Sequence, residues 1–221
     1  MTTQPAALPP IECMGVTIAF GSHTVIRDLS LAVQPGEFVA LGGDSGTGKS
    51  TLLQAIMGFT PLQAGEVRIM GQPLNPATVW QLRRHIAYVP QEAQVGNGMK
   101  TEAFLQRPFS YKANAGQRYD AKVARELFDC FRLPQRLFTS PLHSLSGGEK
   151  QRIAIIGAIL LNRPLYLLDE ITSALDEDST RAVTDWFAGQ TDATILAVAH
   201  DAVFREAARR IVPLRVNGDQ P

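Results

Sequence analysis

The 221-residue sequence predicts an α/β fold: a mostly parallel sheet with helices on both faces, an N-terminal antiparallel β portion and a helical subdomain. Three observations predict it. After residue 149, short apolar runs alternate with helical periods, the pattern of parallel strands joined by crossover helices. A glycine-rich turn, "GGDSGTGKST" over 42–51, separates an apolar run from a helical one. Between Gln91 and Leu145 the texture changes to Gly, Pro, Asn and Ser loops interrupted by helical stretches.

Taken in order, "IECMGVTIAF" (11–20) and "VIRDLSLAV" (25–33) read as strands, and "GEFVALGG" (36–43) as a buried strand. "KSTLLQAIMGF" (49–59) is a helix, with Leu52, Leu53, Ile56 and Met57 on one stripe. "GEVRIMGQPL" (65–74) returns to strand, "VWQLRRH" is a short helix and "IAYVP" (86–90) a strand. The helical subdomain is expected over about 92–145, with a helix at 120–132. Helices then follow at 149–161, 177–188 and 201–209, and strands at 165–168, 194–199 and 211–216. One domain is expected over 11–221, after a proline-rich disordered tail at 1–10.

Composition narrows the function. Twenty-one basic and 21 acidic residues cancel, so no basic excess points to nucleic acid. Cys13 and Cys130 form no metal or redox spacing and suit a reducing compartment. The longest apolar run, 153–161, falls short of the roughly 20 residues a membrane-spanning helix needs. "MTTQPAALPP" lacks the basic and apolar regions of a signal peptide, so a cytoplasmic location is expected.

Gly43-x-x-x-x-Gly48-Lys49-Ser50 is a P-loop in the required context, after an apolar strand and opening a helix. Its glycines let the backbone wrap phosphate with N–H groups pointing inward, and the helix start adds positive potential. The expected ATP contacts are therefore Gly43, Asp44, Ser45, Gly46, Thr47, Gly48, Lys49, Ser50 and Thr51. Lys49 is expected on the β- and γ-phosphates and Ser50 on Mg²⁺. "LYLLDE" (165–170) places Asp169 at the end of a buried strand, as a Walker B carboxylate supporting Mg²⁺. Glu170, one residue on, is positioned for a general base that orients water.

"SLSGGEKQR" (144–152) poses a separate question. Ser146 and Glu149 have capping-box spacing at a helix start. Gly147 and Gly148 add nothing to a cap, and glycine costs a helix about 1 kcal/mol relative to alanine. Two together suggest a backbone kept bare so that a ligand can approach its N–H groups.

With these motifs in order, the chain resembles an ABC-type ATPase from about Phe20 to His200. "LSGGE" (145–149) is similar to the ABC signature, "SALD" (173–176) to the D-loop, "YVPQ" to the Q-loop at Gln91, and "AVAHD" to the switch region at His200. The resemblance implies that Phe20 stacks on adenine. It also implies that Gln91 and His200 position or sense the γ-phosphate, with Gln91 a further Mg²⁺ ligand. Ser146, Gly147, Gly148 and Glu149 would contact ATP held by a second copy, and Asp176 would serve in the D-loop. Each residue also has a plainer reading: Phe20 in the core, Gln91 on the surface, Asp176 as a helix cap, His200 capping the helix after it.

The family usually reads Glu-Pro-Thr after Walker B, and here Glu170-Ile171-Thr172 lacks the proline. "LLDEITSALDE" and "LSGGEKQRI" are most similar to the bacterial iron-export (Fet-type) ATPases, whose plant relatives act in aluminium tolerance. The resemblance therefore implies the ATP-hydrolysing subunit of a transporter: a head-to-tail homodimer on the inner face of the membrane, driving a separate integral membrane permease. The alternative is a soluble ABC ATPase of an assembly scaffold, such as iron–sulfur cluster biogenesis. A DNA-repair ABC ATPase would need a long coiled-coil insertion, and a small-molecule kinase would leave the signature without purpose.

Overall fold

The computed structural model describes residues 8–93, 95 and 98–214. Two sheets and two cores organise them. The first sheet is antiparallel, in the order β2 (His23–Val33), β1 (Ile11–Phe20), β4 (Ala64–Ile69), β5 (Gln72–Pro73). The second is parallel throughout, in the order β6 (Ile86–Val89), β7 (Leu165–Asp169), β8 (Thr194–Val198), β3 (Phe38–Gly42), β9 (Arg210–Pro213).

The strands of the second sheet read as continuous apolar runs because both faces are covered. Along β7, Leu165 and Leu167 enter the core shared with the antiparallel sheet and α1 (Lys49–Ile56), while Tyr166 and Leu168 enter the other. That other core is closed by α4 (Ala121–Cys130), α5 (Gly147–Leu160) and α6 (Glu177–Ala188), which contribute Phe128, Ile155 and Phe187. The alternation follows from successive strand side chains pointing to opposite faces.

Between 98 and 145 lie α3 (Thr101–Gln106), α4 and several short 3₁₀ turns; the bridge from Lys100 to Pro141 is the single β pairing among the described residues there. Asp120 caps α4 by accepting from the N–H of Lys122 at 2.8 Å. The short helix expected at "VWQLRRH" is α2 (Val79–Leu82), continued by a 3₁₀ turn over Arg83–His85.

Three expected elements differ. The strand read over 65–74 is a hairpin, because Met70 and Gly71 turn the chain with φ of 51° and 75°. The helix read to residue 59 ends at Ile56, where Gly58 takes φ 70° and its N–H returns to the Ala55 carbonyl. That C-terminal glycine ends the helix as such glycines commonly do. The last helix, α7, runs only from Ala202 to Ala207, with Asp201 rather than His200 as its cap. The expected strand at 211–216 extends outside the described residues after 214, as does the expected tail before residue 8; Pro10 is buried and accepts from the Met70 N–H at 2.9 Å.

Both cysteines are free thiols; burial pushes Cys13 up to about 12, which makes it unreactive. No helix among the described residues is long and apolar enough to cross a membrane.

Candidate functional site

The parallel sheet delivers its chemistry at the C-terminal ends of β3 and β7, where ligands bind in open α/β sheets. β3 runs into the glycine-rich turn and α1; β7 ends in Asp169, and Glu170 follows it. A cavity of about 350 Å³ joins them, lined by Ser45, Gly46, Gly48, Lys49, Ser50 and Thr51 together with Val25, Gln91 and Glu170.

The glycines of the turn serve different ends. A side chain at Gly43 would meet the Leu214 carbonyl at 2.3 Å, and one at Gly48 would meet Val25 at 2.6 Å. Those two positions are glycine because the protein's own atoms press against them. Gly46 faces open space, and its φ of 81° rather than a neighbour calls for glycine there. Thr47 turns its hydroxyl onto the Asp44 carbonyl at 2.9 Å and braces the loop. Lys49 is buried, and its ammonium donates to the Gly43 and Asp44 carbonyls at 2.8 and 2.6 Å. An ammonium carries three donors, so one remains for a phosphate oxygen.

Asp169 is held from both sides. Ser50 donates its hydroxyl to Oδ1 at 2.7 Å and Tyr88 donates to Oδ2 at 3.4 Å. Burial pushes the Asp169 carboxyl above its usual range, as does the neighbouring Glu170 charge, while the Ser50 and Tyr88 hydrogen bonds pull the other way. A cation would relieve that burial penalty. Among the described residues no three His, Cys, Asp or Glu side chains group as a metal cage. Magnesium does not require one: it takes one or two protein oxygens and completes its shell with phosphate and water. The oxygens of Ser50 and Asp169 fit that role. Gln91 offers only an amide oxygen, since the amide nitrogen it presents to Glu170 is a donor.

Glu170 is the meeting point. Gln91 donates from Nε2 to its Oε2 at 2.8 Å, and His200 Nε2 lies 3.2 Å from its Oε1. The Glu170 backbone is left-handed, with φ 49°, a conformation that costs a non-glycine residue on the order of 1 kcal/mol or more. Bonds from the Glu170 N–H to the Val198 carbonyl at 2.9 Å and from the Ser173 N–H to the Glu170 carbonyl at 3.1 Å fix it there. The structure thus gathers three sequence-picked residues, 91, 170 and 200, around one carboxylate. A second cavity of about 320 Å³ continues past Glu170 and His200 to Ser173, Leu175 and Glu177.

The signature segment lies outside both cavities. α5 begins at Gly147, and the expected capping box is present: the Glu149 N–H bonds the Ser146 hydroxyl at 3.2 Å and the Ser146 N–H bonds Glu149 Oε2 at 2.8 Å. Ser146 and Gly147 are exposed. A side chain at Gly147 would meet nothing, whereas one at Gly148 would meet the Ala174 carbonyl at 2.8 Å. Space is therefore open at 147 and closed by packing at 148. Asp176 caps α6, accepting from the Ser179 N–H and hydroxyl at 2.8 and 2.9 Å, and these bonds hold its carboxyl below the usual range. Arg152 also donates to the Ser179 hydroxyl. Ile171, in place of the usual proline, is buried in the core, and the D-loop turn still closes with the Leu175 N–H on the Thr172 carbonyl at 3.0 Å. Phe20 is 55% exposed at the end of β1, which removes the core reading.

With this geometry in hand, a family model described as "ABC transporter" matches residues 26–173, from β2 to Ser173. The chain belongs to the ABC transporter family. It is an ATPase cassette of that family, and solved cassettes share its fold. It matches a dimeric bacterial ABC transporter cassette with TM-score 0.83 and 26% identity, over 92% of this chain and 94% of that one. It matches a post-hydrolysis state of the same cassette bound to ADP and Pi with TM-score 0.82 at 26% identity, over 93% and 94%. Among curated proteins, it is 32% identical to the energy-coupling factor transporter ATP-binding protein EcfA1 of Latilactobacillus sakei, over 87% of this chain and 70% of that protein. It is 37% identical to an ATP-dependent lipid A-core flippase of Dechloromonas aromatica over 92% of this chain, but spans only 36% of that protein. With the transport/processing protein MesD of Leuconostoc mesenteroides it shares 33% identity, over 90% of this chain and 28% of that one.

Three residues of this cassette's site escaped the sequence reading. Val25 walls the phosphate cavity from β2, and no local pattern marks it. Tyr88 bonds the Walker B carboxylate from a strand that read as plain core. Gln151 is buried in α5 and had a visible signal: it is the polar member of a stripe with Ile155 and Ala158.

Proposed function

We propose that this ABC cassette is the ATP-hydrolysing subunit of a membrane transporter, working as a head-to-tail homodimer and driving a separate integral membrane permease from the cytoplasmic face. The observation that carries the hydrolytic part is the convergence of Gln91 and His200 on Glu170, at 2.8 and 3.2 Å, beside the Ser50–Asp169 pair.

Each residue then has a task. The Gly46 turn and the α1 start receive the phosphates, and Lys49 adds its remaining donor to them. Ser50 and Asp169 would hold Mg²⁺, which supplies charge neutralisation at the β- and γ-phosphates. Glu170 accepts a proton from water, and Gln91 keeps its carboxylate oriented. His200 stays near the same carboxylate, where it can meet the γ-phosphate side of the cavity. Phe20 offers a ring face to adenine. Ser146 and the N–H of Gly147 present donors outward, toward nucleotide held by a second copy; the Ser146 hydroxyl accepts from Glu149 and keeps its own proton to donate.

An apolar groove supports the permease. It has a volume of about 250 Å³ and follows the outer edge of β6, the end strand of its sheet, past Tyr88 and Pro90 to Phe104, Gly157 and Leu161. Because the groove touches both the sheet and the helical region, a segment docked there would feel their relative movement. The likeness to EcfA1 over most of that protein's length supports a cassette that stands as a subunit. The relatives named above support transport in general, and nothing in them points to iron export or to an assembly scaffold.

Substituting Glu170→Gln tests the chemistry. It keeps the shape and the Gln91 contact geometry but removes the base, and losses of about 10²–10⁴ in rate accompany loss of a general base. ATP affinity stays within about twofold, and the ATP-bound dimer accumulates on size-exclusion chromatography. Turnover near that of the unsubstituted protein would show that Glu170 is not the base.

A further inference from the structure

Gln151 is 2% exposed on a helix whose other buried positions are apolar. A buried amide is costly unless it is bonded. Its Nε2 donates to the Pro90 carbonyl at 2.9 Å. Pro90 follows the last residue of β6 and immediately precedes Gln91.

That contact controls more than one oxygen. Proline fixes its own φ, and the peptide joining Pro90 to Gln91 is planar. Holding the Pro90 oxygen therefore sets the plane from which the Gln91 chain departs. Gln91 is itself exposed, yet it must reach Glu170 Oε2 at 2.8 Å. Its aim depends on how its backbone is anchored, and the anchor comes from α5.

We propose that Gln151 is a positioning residue for hydrolysis: it fixes the Pro90–Gln91 peptide so that Gln91 stays on Glu170. This rests on the reading of Gln91 and Glu170 given above. It has a second consequence. Gln151 sits five residues after Ser146 on one helix, a rise of about 7.5 Å. The helix start that faces a second copy's nucleotide is thus tied to the Gln91 of its own chain's site. A displacement of α5 on meeting that nucleotide is transmitted to Gln91 through one hydrogen bond.

A double-mutant cycle tests this. Gln151→Met keeps an unbranched side chain of similar size and removes the donor. It is measured alone, beside Gln91→Ala, and combined with it, reading kcat, KM and the affinity for a fluorescent ATP analogue. Alone, Gln151→Met lowers kcat about tenfold while KM and nucleotide affinity stay within about twofold. In the Gln91→Ala background the same change lowers kcat by less than about twofold, because residues acting through one another are not additive. Equal losses in both backgrounds, or an unchanged kcat, overturn the positioning role. Should Gln151→Met fail to fold, Gln151→Leu takes its place in the cycle, an apolar side chain of similar size with no donor. Normal turnover in Gln91→Ala alone overturns the underlying reading of Gln91 instead, so the two failures are told apart.

Discussion

The phosphate loop and the start of α5 are both glycine-rich helix N-termini, yet the structure treats them in opposite ways. The loop is folded inward. Lys49 and Asp169 are buried, Gly43 and Gly48 are pressed by neighbours, and the loop's side chains bond its own carbonyls. The α5 start closes its hydrogen bonds within four residues and turns Ser146 and Gly147 outward. A site that must grip a ligand from all sides needs walls from several elements. On the composite-site proposal, the α5 start needs only to stay formed and exposed. The comparison teaches that the same local sequence chemistry, glycine at a helix start, becomes a pocket or a docking tip according to what packs behind it.

The largest effect expected from this contrast is all-or-none. Lys49→Ala disables the inward site and Ser146→Arg blocks the outward tip, so each protein alone loses ATP-driven dimerisation and turnover. Mixed dimers concentrate both defects in one composite site and leave the other whole. Mixing therefore restores dimerisation, read by crosslinking, or turnover. Crosslinked mixed dimers that remain inert by both measures would end the composite-site account.

An intermediate effect is expected at the rim. Stacking on an aromatic is worth roughly 1–3 kcal/mol by alanine substitution in nucleic-acid systems. Phe20→Ala should weaken ATP binding in that range and Phe20→Tyr should preserve it, both followed by nucleotide titration. Because Phe20 is exposed, the melting temperature should barely move; a large fall in it with unchanged affinity would contradict the stacking role.

The smallest effects separate the two signature glycines. Gly147→Ala adds a methyl to open space and improves helix propensity by up to about 1 kcal/mol, so thermal stability rises while dimerisation weakens. Gly148→Ala pushes a methyl toward the Ala174 carbonyl and should lower stability by about 1–3 kcal/mol. Equal melting temperatures for the two variants would remove the distinction between approach and packing.

The sequence made the sheet, the phosphate loop and the capping box legible, because each rests on local spacing. Apolar runs such as "LYLLD" mark strands buried on both faces, and Ser146-x-x-Glu149 marks a helix start. Hidden from it were features set by distant contact. Nothing near Gly48 announces that Val25 fills the space above it, and nothing in "IAYVP" announces that Tyr88 reaches Asp169. The hairpin at Met70 was missed because an apolar residue occupies the turn beside its glycine. Asp201 displaced His200 as the cap of α7, a competition that adjacency alone does not decide.

The left-handed residue at the end of β7 makes that strand intolerant of slippage. Two neighbouring acids serve opposite clients there: Asp169 answers to Ser50 and Tyr88, Glu170 to Gln91 and His200. One residue inserted within β7 would carry Asp169 to the place where Glu170 now stands, and one removed would carry Glu170 to the place of Asp169, so either change breaks both sets of bonds. The length of this strand is accordingly as tightly constrained as the identity of either acid, and drift in the cassette is better absorbed in the loops that precede Leu165 than within the five residues that follow.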